Sequence, residues 1–369
     1  MRKDTHYIPI LKGRLGEYNA LKRMKSDVAS SYTPLLELIP TGESLSEQGD
    51  PDPAGIRLSI QKAIVRLDSY WPVSEDLIVD AHLIPEVPDL YPIAEIVRHF
   101  GLLGNQVIPA VRPSDSDESL GALASTLRTI TQNSVCIRLS DEDLDDSDMP
   151  IEAGLLRVLS KLDVTPETVD LVLDFGPLRD EQAASFAARI ARLIIGELPH
   201  QASWRSITLA GGGFPAALDT VAPRVLTDLP RWEVTMWTTV RDRMKDKGRL
   251  PSFGDYAIAY PVQPNGVGFA PAPQIRYTTA ESWLVLKGKK TERRSSAQFF
   301  DICGIIAGYA GFTRELSWGD QEIASKAEWA NVDPVPPSAK PGNAMMWRAI
   351  GTSHHISFVI DQLARPGGL

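Results

Sequence analysis

The chain carries only two cysteines in 369 residues, Cys136 and Cys303, both within apolar stretches. Two thiols supply neither a disulfide framework nor the four ligands of a structural zinc module, so a reducing cytoplasm is the expected compartment. Long hydrophobic runs are missing as well. No stretch approaches the 18 or so apolar residues of a membrane helix, and the polar opening at residues 1–7 does not read as a secretory signal, so no membrane association is expected. Basic residues are in deficit, 38 Lys+Arg against 47 Asp+Glu for a net charge of −9, without long single-sign blocks. That balance excludes a dedicated nucleic-acid-binding face, though not a local basic groove. Aromatic residues reach only 7% of the chain, which leaves a core built mainly from aliphatic side chains. Finally, the P-loop, the nucleophile elbow, paired CxxC and HExxH motifs are all absent.

What is present is a recurring unit: a short apolar, β-branched run closed by a polar residue, then a loop, then a segment of helical period. The runs are Tyr7-Ile-Pro-Ile-Leu-Lys12, Tyr32-Thr-Pro-Leu-Leu-Glu37, Leu77-Ile-Val-Asp80, Val107-Ile-Pro-Ala-Val-Arg112, Val135-Cys-Ile-Arg138, Val169-Asp-Leu-Val-Leu-Asp174 and Ser206-Ile-Thr-Leu-Ala210. An eighth is expected at Tyr256-Ala-Ile-Ala-Tyr260. Helical spacing fills residues 56–68, 93–103, 120–130, 182–198 and 232–244. Strands apolar on both faces belong to parallel sheets covered by crossover helices. A count near eight, with no GxGxxG turn after the first run, favours a (β/α)8 TIM-like barrel over the alternative, a doubly wound open parallel sheet. Residues 261–273 are rich in Pro and Gly and end the alternation, so the chain divides into a barrel at 1–262 and a C-terminal α+β extension at 263–369. In that extension residues 276–290 read as extended, 297–309 as a helix, 332–342 as a Pro-rich loop and 355–364 as a final helix.

Barrel chemistry sits at the carboxyl ends of the strands. There the runs close on Lys12, Glu37, Asp80, Arg112, Arg138 and Asp174, three charges of each sign. A strand also ends simply where polarity begins, yet six charges converging on one mouth must be paired or used. Two chemistries fit. Glu37, Asp80 and Asp174 could hold a magnesium or manganese ion while Lys12, Arg112 and Arg138 bind a phosphate, which amounts to phosphoester hydrolysis. Alternatively one carboxylate acts as general base and the cations stabilise an oxyanion. Gly211, Gly212 and Gly213 follow the seventh run, where barrels place backbone N–H groups around phosphate, and Tyr260 at the end of the eighth run is expected to face the mouth. The adjacent His354 and His355 point different ways in any regular element, so they do not form a metal pair, and a partly buried histidine at a helix start is expected.

The opening Tyr7-Ile-Pro-Ile-Leu-Lys12-Gly-Arg14-Leu-Gly-Glu17-Tyr18, followed by Thr33-Pro-Leu-Leu-Glu37-Leu-Ile-Pro40, resembles the Beta protein family of phages, prophages and bacteria. Later stretches resemble it too: Phe253-Gly-Asp-Tyr256, Ile275-Arg-Tyr-Thr278 with Trp283, and Gly342-Asn343 leading to Trp347-Arg348 and His354-His355. The family's namesake, carried by a satellite phage, counteracts killing by a neighbouring gene product. The resemblance therefore implies a cytoplasmic part of a phage-defence or toxin–antitoxin-like module, with a neighbouring-gene protein or a phosphate-containing ligand as partner. It brings no catalytic residues with it.

Overall fold

The computed structural model describes residues 1–46, 49–71, 75–144, 149–246, 248–263, 271–289 and 295–365. The first two thirds alternate strand and helix: β1 (Tyr7–Leu11), α1 (Leu15–Leu21), β2 (Leu35–Glu37), α2 (Pro53–Tyr70), β3 (Ile78–Asp80), α3 (Pro92–Leu102), β4 (Ile108–Val111), α4 (Asp117–Ile130), β5 (Val135–Leu139), α5 (Asp141–Leu144), α6 (Ile151–Leu162), β6 (Val169–Pro177), α7 (Glu181–Glu197) and β7 (Ser206–Gly212). There follow β8 (Thr227–Pro230), α8 (Trp232–Met244) and β9 (Ser252–Asp255). The remainder holds β10 (Gln274–Thr278), β11 (Ser282–Lys287), α9 (Gln298–Ala307), α10 (Trp318–Ala327) and α11 (Ala344–Ala364). Local chemistry sets several boundaries. Asp52, Ser116 and Asp180 accept from first-turn N–H groups of α2, α4 and α7, and Thr131 and Asp163 close α4 and α6 in the left-handed conformation.

Strands β1 to β7 and β9 pair in parallel and close into an eight-stranded barrel, with β9 joined to β7 on one side and to β1 on the other. The expected barrel is therefore present, and the open doubly wound sheet is not. Alternate residues of β1 to β7 fill its interior, Ile8, Ile10, Leu35, Ile78, Ile108, Ala110, Cys136, Val172 and Ala210, with Tyr256 from just beyond β9 packed among them. The other alternation points outward into a larger core shared with the helices.

The eighth strand is a correction. Ser252–Asp255 is the paired segment, and residues 256–260 form the loop beyond it, with Ala257 at φ 49°. Ser252-Phe-Gly-Asp255 carries a single apolar side chain and so lacks a strand signature. Its small residues are nonetheless what fits between the neighbouring strands: a Cβ on Gly254 would lie 2.9 Å from the Thr208 methyl and 3.0 Å from the Ile8 carbonyl. Asp255 accordingly sits at the carboxyl end of the strand rather than at its entry.

Strands β10, β11 and β8 make a separate antiparallel sheet, β8 being supplied by the segment between β7 and α8. Its core comprises Ile275, Tyr277, Leu284, Leu286, Phe299, Ile302, Cys303, Ile306, Ile323, Trp347 and Ile350. Helix α11 belongs to both bodies. Its Trp347 and Ile350 enter the sheet's core, whereas Ile356, Val359, Ile360 and Leu363 enter the barrel's outer core, where α11 packs on α1 and β1. Helix α11 also begins eleven residues before the expected start at 355, so His354 and His355 are fully buried mid-helix residues and not a partly exposed helix start. The histidines looked like a polar helix beginning because nothing local reveals the buried acceptors that satisfy them.

Candidate functional site

Lys12, Glu37, Asp80, Arg112, Arg138 and Asp174 each stand two residues beyond an inward-facing apolar residue, so strand alternation aims all six into the mouth. The structure brings them together as one buried ion network. Arg138 is its centre: Nη1 lies 2.8 Å from Glu37 Oε1 and 2.7 Å from Asp80 Oδ2, and Nη2 lies 2.6 Å from Asp174 Oδ2. Arg112 grips Asp80 with both terminal nitrogens, at 2.8 and 3.3 Å. Lys12 donates to Glu37 Oε2 at 2.5 Å with its ammonium 4.6 Å from the centre of the Tyr256 ring. The Tyr256 hydroxyl accepts from Arg138 at 2.7 Å and donates to Asp174 at 2.6 Å. Backbone N–H groups of His82 and Gly176 complete Asp80 and Asp174.

Three cations thus face three carboxylates out of water. Burial on its own would raise Asp80, but the charges of Arg112 and Arg138 outweigh it and hold the carboxyl well below its usual range. Asp174 is lowered in the same way, burial opposed by Arg138 and by hydrogen bonds from Tyr256, Gly176 and Arg138. Burial pushes the Tyr256 phenol well up, with Asp174 and Glu37 adding to the rise and Arg138 opposing it. Asp80 and Asp174 are therefore held ionised, and all three carboxylates are engaged and matched by cations. A magnesium or manganese ion would have to displace Lys12, Arg112 and Arg138 from them, so the donor set does not fit such an ion. Among the described residues no three His, Cys, Asp or Glu side chains stand together as metal ligands.

The glycine run after β7 is put to packing use. A Cβ at Gly211 would meet Leu178, one at Gly212 would meet Pro261, and one at Gly213 would lie 2.8 Å from the Trp232 nitrogen. The Gly213 N–H, which could otherwise face an anion, donates to Glu233 Oε2 at 3.0 Å.

Unmatched positive charge lies just above the network. Two adjoining cavities, about 390 and 340 Å³, share Arg14, Arg276 and Arg348 in their walls. The first runs on to Leu15, Ile258, Met345 and Trp347; the second runs past Lys12, Pro215, Ala259 and Tyr260. A third, more open recess continues from Ala216 and Arg276 to Lys287. Arg14 comes from the β1–α1 loop, Arg276 from β10 and Arg348 from α11, so the cleft exists only where the small sheet covers the barrel mouth. Arg276 donates to the Ile258 carbonyl at 2.5 Å and stacks 4.2 Å from the Phe214 ring centre. Burial, with the charges of Arg348 and Arg14 next, pushes it down to about 9. Among the described residues the acid ion-paired with these arginines is Glu17, whose Oε1 lies 3.5 Å from Arg348 and whose Oε2 accepts the Arg14 backbone N–H; Asp219 lies farther out, with Lys287, in the third recess. Arg14 Nε is buried with no hydrogen-bond partner among the described residues, and its Nη2 reaches only Gln263, at 3.2 Å.

Two of the close approaches require glycine. Gly13 has φ +61°, and a Cβ there would lie 2.3 Å from the Glu37 carbonyl, so this residue sets the course of the chain between Lys12 and Arg14. A Cβ on Gly16 would stand 2.9 Å from Arg348 Cβ, so only glycine lets α11 approach α1 closely enough to bring Arg348 to Arg14.

A second network ties the small sheet to the barrel from outside. Asp255 accepts from Tyr7 at 2.5 Å, lies 2.8 Å from His355 Nε2 and faces Arg231 at 3.5 Å; Arg231 also contacts Glu233 at 3.0 Å. His355 Nδ1 meets Thr278 Oγ1, while His354 spans Asp320 and the Thr278 carbonyl. Sequence reasoning singled out Tyr260 and Lys12, which do line the cleft, but missed Arg14, Arg276 and Arg348 as a group. Their separation in the chain leaves no local signal, and only the lone Arg between Ile275 and Tyr277 departs from its apolar surroundings.

None of the described helices is long and apolar enough to cross a membrane. No curated protein matches the chain. Solved structures with similar folds include a type I 3-dehydroquinate dehydratase from Clostridium difficile, at 10% identity over 69% of this chain and 85% of that one, with a TM-score of 0.37. Others are a group II chitinase catalytic domain from Ostrinia furnacalis (10% identity, 47% and 64% coverage, TM-score 0.27) and a triazine hydrolase variant (12% identity, 54% and 42%, TM-score 0.24). At such scores they carry no functional argument. The family comparison is of a different kind, because the model of the Beta protein family matches residues 7–361, from the first strand through most of the last helix, and the chain belongs to that family.

Proposed function

We propose that this Beta-family protein is a binding protein of a phage-defence or toxin–antitoxin-like module, acting through a phosphate-containing ligand held in the cleft over the barrel mouth. The observation that carries the reading is the charge arrangement. Arg14, Arg276 and Arg348 crowd one cleft in which, among the described residues, Glu17 alone is ion-paired with them, while every cation of the network below has its own partner. Cations held together at a cost in the free protein are relieved by an anion, and guanidinium groups are suited to bidentate phosphate contacts. The pairing of Glu37, Asp80 and Asp174 gives less support to the hydrolase alternative, since a general base or metal ligand needs a carboxylate that is not already neutralised. Family membership supports the defence setting and the neighbouring-gene protein as a partner in it.

The test is calorimetric titration of the purified protein with inorganic phosphate and pyrophosphate at constant ionic strength, beside Arg276→Met and Arg348→Met. Saturable binding that weakens at least tenfold in either variant is expected. Binding of equal strength in the variants, or none to either anion, would overturn the reading. In a phage-challenge assay the same variants should lose protection.

A further inference from the structure

The arrangement of the cleft says more than that it takes an anion. Arg14, Arg276 and Arg348 are common to the walls of both cavities, so the positive charge sits at a waist with a chamber on either side. Each chamber has the volume scale of a small-molecule pocket, about 300–1,000 Å³. Tyr260 stands partly exposed in the wall of the second, whereas Trp347 in the wall of the first is stacked on Phe299 within the small sheet's core. Apolar neighbours accompany both: Leu15, Ile258 and Met345 on one side, Pro215, Ala259 and Val262 on the other.

Charge matching narrows the central group. Lys12 is neutralised by Glu37, and Glu17 offsets one of the three arginines, which leaves two positive charges at the waist. A phosphodiester would bring one negative charge, and a terminal phosphate chain would leave one chamber empty. A pyrophosphate substituted at both ends carries two negative charges and puts a substituent into each chamber. The partly exposed Tyr260 ring beside the cationic waist suits a nucleobase, which stacks on such a face whatever its identity, and the apolar wall of the first chamber, Leu15, Ile258 and Met345, suits the flat face of a second.

We propose that the ligand is a two-headed pyrophosphate of the dinucleoside diphosphate class, its diphosphate held between Arg14, Arg276 and Arg348 and one nucleoside in each chamber. This rests on the anion-binding reading above and specifies its ligand.

The experiment is calorimetric titration of the full chain with pyrophosphate, adenosine diphosphate and P1,P2-di(adenosine-5′) pyrophosphate. The two-headed probe is expected to bind at least tenfold more tightly than adenosine diphosphate, which in turn exceeds pyrophosphate. In Tyr260→Ala, whose side chain is only partly buried, that advantage should collapse to less than threefold; Ala259→Leu, which fills the same chamber, should do likewise. Equal affinity of the two adenosine probes, or an advantage untouched by both variants, overturns the two-headed ligand while leaving the anion site standing. Failure of all three probes, with the protein folded by circular dichroism, removes the anion reading along with it.

Discussion

Replacing Arg138 by Met tests whether the mouth network is a closed ion cluster. The side chain is fully buried and contacts Glu37, Asp80, Asp174 and Tyr256 at once. Without it, Glu37 keeps Lys12 and Asp80 keeps Arg112, but Asp174 keeps only the Tyr256 hydroxyl and the Gly176 N–H. One buried negative charge is then uncompensated, which costs about 3–5 kcal/mol. With an unfolding entropy of about 2.1 cal/mol/K per residue, a chain of this length should lose roughly 4–6 °C in Tm. The pH dependence distinguishes charge from lost packing. In the native protein Asp80 and Asp174 are depressed, so their contribution is present above the ordinary carboxylate pKa and is lost as pH falls through the folded value. In Arg138→Met the stranded Asp174 is raised instead, so its penalty shrinks as it protonates on acidification. Urea denaturation of both proteins at pH 7.5 and pH 5 should show the difference narrowing by at least a third. A gap below about 1 kcal/mol at pH 7.5, against the expected cost, or one that stays constant between the two conditions, would refute a closed charge cluster.

His6 supplies an independent titration. Burial first, then the charge of Arg2, push it down to about 4, so the folded protein resists a proton that the unfolded chain accepts. Stability should therefore fall between pH 6.5 and pH 4, by about 2 kcal/mol at pH 5, and His6→Gln should flatten that part of the urea-denaturation profile. Gly13→Ala forces a left-handed residue and a clash with the Glu37 carbonyl; it should cost about 1–3 kcal/mol and weaken phosphate binding, because the loop carries both Lys12 and Arg14. Gly319→Ala sets a Cβ 2.2 Å from the Ile350 carbonyl, where α10 meets α11, and is expected to lower Tm by several degrees or to prevent folding, read by thermal melts and soluble yield. Saturating phosphate, at about a hundred times its Kd, should stabilise the native protein by about 2.7 kcal/mol, and this gain should be missing in Arg348→Met.

The six charges of the mouth were legible in the sequence because strand alternation is a local rule: the residue two beyond an inward-facing Ile, Leu, Ala, Cys or Val faces inward too. Even their approximate balance could be counted. Which acid each cation takes could not be read, since Arg138 reaches three carboxylates only through the curvature of the closed sheet. The eighth strand failed as a sequence signal for a related reason. Ser252-Phe-Gly-Asp255 is chosen by the space between β7 and β1, and that space appears only on closure. Hydrophobic periodicity, fixed within a few residues of chain, was thus sufficient for the barrel class and for the ring of charges. The cleft is a product of long-range packing alone, for α11 must lie on α1, and β10 must pair with β11, before Arg14, Arg276 and Arg348 can share a wall. Like charges so placed repel one another, and it is the apolar packing of the two cores, not any preference of the arginines, that holds them there.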